Sequence, residues 1–359
     1  MDESLSAVNE LRSAAEAIAQ AAVAKDYARR PALLARYGEH DLTMYLQDSR
    51  FHSRFHTTYL ADAISFSRPS IFKDYIGWLK EALAARGVAP EELLENLKCM
   101  REALAENLTP ASVDVVLPVF EAAVADAFDE GAAHLHSSEQ PLPADGLAKR
   151  YLDLLLRCER QLALDLIQEA IRSGVGLREI WLRVFQDSQY EVGRLWQSNQ
   201  ISTAQAHYCT AATQTIMSRL YSHVFSAPRK GHILVTACAP GEIHELGMRM
   251  IADIFEMEGW DTYHLGANMP VAALADFVAQ RQPDLVGLSA TMTFHLEGVA
   301  MIIKALRENK QTSDVNLVVG GRAFNREPGL WREIGANAYA RDIEDALNAA
   351  ATLLAGAKA

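Results

Sequence analysis

Long uncharged apolar runs are missing from this 359-residue chain. No stretch reaches the roughly 18 residues that a membrane-spanning helix needs. The N-terminus, MDESLSAVNELRS, has no signal-peptide apolar core either. Positive charge is also in short supply: 34 Lys and Arg stand against 46 Asp and Glu, for a net charge of −12. Nucleic-acid surfaces need clustered cations to meet phosphates, and no helix-turn-helix pattern with a basic second helix occurs. Nucleic-acid and membrane partners are therefore excluded. Cysteine is scarce: Cys99, Cys158, Cys209 and Cys238 are scattered, with no C-x-x-C pair. This usage predicts reduced, buried thiols in a cytoplasmic protein.

What the chain does have is apolar periodicity. Half of its residues are hydrophobic, enough for two or three domains with sizeable cores. Residues 1–130 read as a helical domain, with apolar residues at helical spacing in SLSAVNELRSAAEAIAQAAVAK and then in DLTMYLQDSRFHSRFHTTYLADAISF. Pro69 or Ser70, Pro90 and Pro110 open further helices, Gly87 closes one, and Pro118 predicts a kink. Residues 131–146, rich in Ser, Pro, Gly and acid, read as a linker, with His134 and His136 in solvent. Residues 147–228 resume as a four-helix bundle. One helix is expected to run from Ala148 to Gly174, and Ser202 or Thr203 caps the last.

Residues 229–359 alternate strand and helix five times. The expected strands are HILVTAC, DTYHLGA, DLVGLSA, NLVVGG and ANAYA. Units this short make a flavodoxin-like doubly wound parallel five-stranded sheet in the order 2-1-3-4-5. The whole is a multidomain chain, α plus α/β. Ligands of such a sheet bind where the strand order reverses, outside the carboxyl ends of the first and third strands.

Chemistry-bearing residues gather at that edge. Glu242, His244 and Gly247 form an E-x-H-x-x-G loop just after the first strand. A neutral imidazole binds a metal through one ring nitrogen, and a carboxylate two residues earlier can take the hydrogen on the other. Gly247 leaves room for a close approach. Ser289 and Thr291 follow the third strand, and Gly320-Gly321 ends the fourth. His264 reads as structural and His295 as a local contact at a helix start.

The histidine motif, the serine-threonine pair and the diglycine, in this order and spacing, resemble the cobalamin-binding domain of methionine synthase, the corrinoid carriers and the cobalamin photoreceptors. By that resemblance His244 is the lower axial ligand of cobalt. The nucleotide tail of the cofactor lies beside Ser289, Thr291, Gly320 and Gly321. The family usually has aspartate where this chain has Glu242. The run EVGRLWQSNQISTAQAHYCTA resembles the helical cap of the same proteins. Trp196 and His207 match the photoreceptor pattern over the upper face of the corrin, and Ala206 stands where those caps carry glutamate.

In the N-terminal half, His52, Arg54, Phe55, His56, Tyr59, Tyr75 and Trp78 concentrate aromatic and basic groups, and Phe51 and Arg68 lie close by. Ordinary core packing is one reading. A pocket for a flat, carboxylated pigment is the other. The region from Leu34 to Val88 looks like the N-terminal region of photocobilins, receptors that pair cobalamin with a bilin. The resemblance implies adenosylcobalamin and biliverdin as cofactors and a light sensor in place of an enzyme, with no catalytic residues. It also implies a homo-oligomer whose assembly depends on light, and a separate downstream partner. A corrinoid methyl carrier of a methyltransferase system, or a cobalamin-responsive regulator without bilin, are the alternatives. The helical N-terminal half excludes the catalytic barrel that a self-contained mutase needs.

Overall fold

A computed structural model describes residues 2–31, 55–129, 142–143, 146–225 and 227–356. The chain divides into two compact units, Met1–Ser138 with Gln197–Asn199, and Glu139–Trp196 with Gln200–Ala359. Phe51, His52, Arg54, His134, His136 and most of the expected linker 131–146 lie outside the described residues.

The first unit is helical: α1 (Asp2–Arg29), α2 (55–65), α3 (Pro69–Ala84), α4 (Pro90–Asn107) and α5 (Pro110–Ala127). Proline opens α3, α4 and α5, where its missing N–H costs nothing and its fixed φ suits the first turn. Pro118 sits inside α5, which continues on both sides of it. Helix α1 packs against α4 and α5, and α3 against α5. Leu11, Ile18, Leu60, Phe72, Ile76, Leu97 and Phe120 are buried between them.

The second unit begins with α6 (Leu147–Leu156) and α7 (Arg160–Arg172). These are two helices where the apolar pattern predicts one. Cys158 adopts a left-handed φ of 60°, and the N–H groups of Cys158 and Glu159 cap the carbonyls of Leu155 and Leu154. No glycine or proline marks this break, which is why periodicity alone misses it. Next come α8 (Leu177–Glu179), a π-helical segment (Ile180–Gln186) and α9 (Asp187–Gln197). Helices α10 (Thr203–Arg219) and α11 (Tyr221–Val224) complete the cap. Ser202 and Gln205 form a reciprocal capping box at the start of α10.

The rest is the α/β layer: β1 (Ile233–Cys238), α12 (Leu246–Met257), β2 (Asp261–His264), α13 (Val271–Arg281), β3 (Leu285–Ser289), α14 (Leu296–Glu308), β4 (Asn316–Gly320), α15 (Arg322–Arg326), α16 (Leu330–Glu333), β5 (Ala338–Ala340) and α17 (Ile343–Gly356). The sheet order is β2-β1-β3-β4-β5, and every pairing is parallel. Strand β3 is buried throughout, which is why its sequence reads as continuously apolar rather than alternating. Register aligns the strand ends, pairing Cys238 with Ser289 and Ser289 with Gly320. The three motifs therefore emerge side by side at one edge.

The cap and the α/β layer share a core. Tyr151, Leu155, Ile167, Trp181, Phe185 and Met217 of the cap pack with Leu246, Met250 and Ile254 of α12. Burying an aliphatic side chain of this size stabilises by about 1.5–3 kcal/mol, so the α12 row alone anchors the cap firmly.

Candidate functional site

Glu242 leaves β1 in a tight loop and is fully buried. The loop is set by Gly241 at a φ of 80°, whose N–H donates to Asn268 Oδ1 at 2.7 Å. The Glu242 carbonyl accepts from the N–H of Asn268 at 2.8 Å. Both carboxylate oxygens are engaged. Oε1 accepts from the backbone N–H of His244 at 2.8 Å and from its Nδ1 at 2.5 Å. Oε2 accepts from the N–H of Thr291 at 2.6 Å and from Nδ1 of His295 at 2.9 Å. Burial pushes this carboxyl up, but the hydrogen bonds from His244 and His295 outweigh it and hold the group well below the usual carboxylate range.

Glutamate is therefore long enough to reach the imidazole. With Nδ1 on the carboxylate, Nε2 is the ring nitrogen of His244 left to meet a ligand, and the side chain is 55% exposed. An exposed imidazole, held in one orientation by a buried carboxylate, is the arrangement of a metal ligand with its outer partner. Among the described residues, no group of three or more His, Cys, Asp or Glu side chains converges to hold a bare ion. A single outward imidazole instead suits a metal already ringed by a macrocycle. The residues present thus fit a cobalt corrinoid.

The neighbours divide by role. Gly247 lies in the first turn of α12, and a Cβ there would meet no atom within 4 Å, so open space lies over it. The diglycine is demanded by the fold itself. Gly321 has a φ of 96°, and its Cβ would sit 2.4 Å from the carbonyl oxygen of Ala290; a Cβ on Gly320 would sit 2.7 Å from that of Ala340. Ser289 is buried and donates to Cys238 Sγ at 3.4 Å, and burial pushes the Cys238 thiol up to about 12. Thr291 serves through its backbone N–H. In the cap, Trp196 is half-buried at the end of α9 and donates from Nε1 to Thr203 Oγ1 at 3.1 Å, while His207 is exposed on α10.

Two expectations need correction. His295 is not a local contact: it is buried and bonds a carboxylate 53 residues away in sequence. Its one visible signal was its place in the turn after the Ser289–Thr291 edge. Cys158 is exposed, whereas Cys99, Cys209 and Cys238 are buried as expected. His264 lies on β2, its Nδ1 3.0 Å from Thr236 Oγ1 on the neighbouring strand.

In the first unit, His56, Tyr59 and Tyr75 are buried. The Tyr59 and Tyr75 rings stack at 3.8 Å, and the Tyr75 hydroxyl lies 2.9 Å from Nδ1 of His56. Trp78 continues the cluster at 6.5 Å from Tyr75, and Phe55 and Trp78 are half-buried. These side chains form a packed aromatic core with a polar pair inside it.

No helix among the described residues is long and apolar enough to cross a membrane. Comparison with known proteins adds three matches by domain. Residues 233–351 match the B12 binding domain, residues 147–221 a second B12 binding domain model, and residues 1–130 the phycobilisome protein family. The dimethylamine corrinoid protein 3 of Methanosarcina acetivorans is 24% identical over 212 residues, covering 58% of this chain and 98% of that protein. The trimethylamine corrinoid protein 1 of Methanosarcina mazei is 22% identical over 201 residues, covering 55% and 91%. The structure of the Methanosarcina barkeri monomethylamine corrinoid protein superposes with a TM-score of 0.51 at 22% identity, covering 59% and 99%, a likeness of fold. The chain thus joins a phycobilisome-like N-terminal domain to a B12-binding cap and a B12-binding α/β domain, and its homologues are corrinoid proteins.

Proposed function

We propose that this protein is a light sensor that binds adenosylcobalamin through His244 and a bilin, biliverdin, in its N-terminal domain. The observation that carries the reading is the His244–Glu242 pair: one ring nitrogen fixed at 2.5 Å on a buried carboxylate, the other presented to solvent. The bilin half is supported by the phycobilisome-like match over residues 1–130. When bound, adenosylcobalamin supplies a Co–C bond that visible light breaks. The protein's part would be to hold the cobalamin through His244, to leave it space over Gly247, and to cover it with Trp196 and His207 of the cap. Loss of the adenosyl group would be read out as a change in cap packing and subunit assembly, a ligand-controlled two-state switch. The signal passes to a separate downstream protein, and no catalytic step belongs to this chain. The bilin residues are His52, Arg54, Phe55, His56, Tyr59, Tyr75 and Trp78. His56, Tyr59 and Tyr75 are packed in the described structure, so pigment uptake requires that cluster to rearrange.

A methyl-carrier reading is favoured by one fact, the names of the curated relatives, which are methylamine corrinoid proteins. Those matches leave about two fifths of the chain unaligned, and residues 1–130 carry a different family match. The carrier reading leaves residues 1–130 without a role. The deciding experiment is to purify the protein with adenosylcobalamin and biliverdin in the dark, then record absorbance before and after green and red light. The sensor reading requires a light-induced change in the cobalamin bands. A cobalamin spectrum indifferent to light, with cobalt methylated by a partner enzyme, establishes the carrier instead.

A further inference from the structure

Helix α12 meets the cap along two adjacent rows. Leu246, Met250 and Ile254, one turn apart, lie in the apolar core of the cap. Glu245, Arg249 and Asp253 each stand one position earlier, about 100° round the helix, and each bonds a different part of the cap. Glu245 Oε1 accepts from Gln214 Nε2 at 3.0 Å. Arg249 Nη2 donates to Ser218 Oγ at 2.8 Å and to the Tyr221 hydroxyl at 2.9 Å. Asp253 Oδ2 accepts from Trp181 Nε1 at 3.0 Å. Gln214 and Ser218 are themselves one turn apart on α10, so the first two rungs match turn for turn.

The first rung differs from the others. Glu245 is the residue after His244 and the N-cap of α12. Its second oxygen, Oε2, accepts from the N–H of Ala267, beyond β2, at 2.9 Å. Gly266, at a φ of 83°, makes room for it, since a Cβ there would lie 2.9 Å from Oε2. One carboxylate thus holds a cap helix, a sheet-edge loop and the start of α12. Gln214 shares a face of α10 with His207, two turns earlier.

We propose that Glu245 is a positioning residue that couples the His244 loop to the cap, so that movement of His244 toward a cofactor is passed to α10 through Gln214. This rests on the cobalamin reading of His244. An apolar row tolerates sliding, because the hydrophobic effect has no direction. A bonded polar row sets one register and signals its loss.

The test is hydrogen–deuterium exchange across α10 in the full-length protein, without and with adenosylcobalamin in the dark, with uptake followed by absorbance. In the wild type, loading changes α10 exchange. Gln214→Ala still takes up adenosylcobalamin, exchanges roughly three- to tenfold faster across α10 when unloaded, as loss of one net hydrogen bond predicts, and loses the loading response. Gln214→Glu, which sets two carboxylates together, behaves likewise. Combining Gln214→Glu with Glu245→Gln restores the response, because the amide now on α12 can accept from Ala267 and donate to the carboxylate now on α10. A loading response that survives Gln214→Ala, or a folded double variant that stays uncoupled, overturns the proposal while the cobalamin reading stands. A wild type that takes up no adenosylcobalamin overturns that reading, and the proposal falls with it.

Discussion

His295 lies 2.9 Å from Oε2 of Glu242, the carboxylate oxygen that His244 does not use. One buried glutamate therefore stands between two imidazoles, and each ring claims one oxygen. The second imidazole fixes the carboxylate plane, which in turn fixes the ring of His244. Replacing His295 with Ala should remove a charge-assisted bond of about 1.5–3 kcal/mol and loosen cobalamin retention. His295→Asn, whose amide can donate to Oε2, should recover most of it. Cobalamin titrations followed by absorbance compare the two, and equal losses in both would show that His295 only fills space.

Glu242 holds His244, Thr291 and His295 at once. Glu242→Ala should lower cobalamin affinity about 10–100-fold, the usual cost of losing a ligand's outer partner. Glu242→Asp, one methylene shorter, cannot span His244, Thr291 and His295 together. It should hold His244, release His295, and fall between wild type and Ala in the same titration.

The glycines separate fold from ligand. Gly321→Ala places a Cβ 2.4 Å from Ala290 oxygen at a φ of 96°, and should destabilise by about 1–3 kcal/mol or more. Gly247→Ala meets nothing within 4 Å. It should leave the unliganded protein as stable or about 0.5 kcal/mol more so, yet weaken cobalamin binding by filling the space above the loop. Urea unfolding and cobalamin titration on both variants check the pair. Undiminished binding by Gly247→Ala would mean that no ligand comes near that turn.

Asp253 gives a pH signature. Burial raises its carboxyl to about 6, against the smaller opposing pull of its bond from Trp181. The folded protein thus holds this proton more tightly than the unfolded chain does. The stabilisation is complete below pH ~4 and is lost as pH rises through about 6. Asp253→Asn keeps an acceptor for Trp181 without the charge. It should exceed wild type in stability at pH 7.5, by about 3 kcal/mol at most, and keep only about 1 kcal/mol of that advantage at pH 4.5. Denaturant midpoints at the two pH values read the difference.

The exposed thiol gives a simple count. Cys158 alone of the four cysteines is exposed, so a thiol reagent should modify it rapidly in the native protein. The other three should react only on unfolding.

Local pattern carried a large part of this protein. Strand ends in Cys238, Ser289 and Gly320, helix-opening prolines, and the five-fold alternation after residue 229 were all legible in the sequence, because burial period and turn chemistry are properties of neighbouring residues. So was the pairing of His244 with Glu242, two residues apart in one loop. Tertiary structure alone decided that Thr291 and His295 meet Glu242 as well. The reach of His295 depends on the path of the turn after β3, which no local rule sets. It also decided that the cap shares its core with α12, that α6 and α7 part at a left-handed Cys158, and that His56, Tyr59 and Tyr75 are packed together. Each of these is a contact between segments distant in sequence, or a backbone state that a residue accepts only because the surrounding packing holds it there.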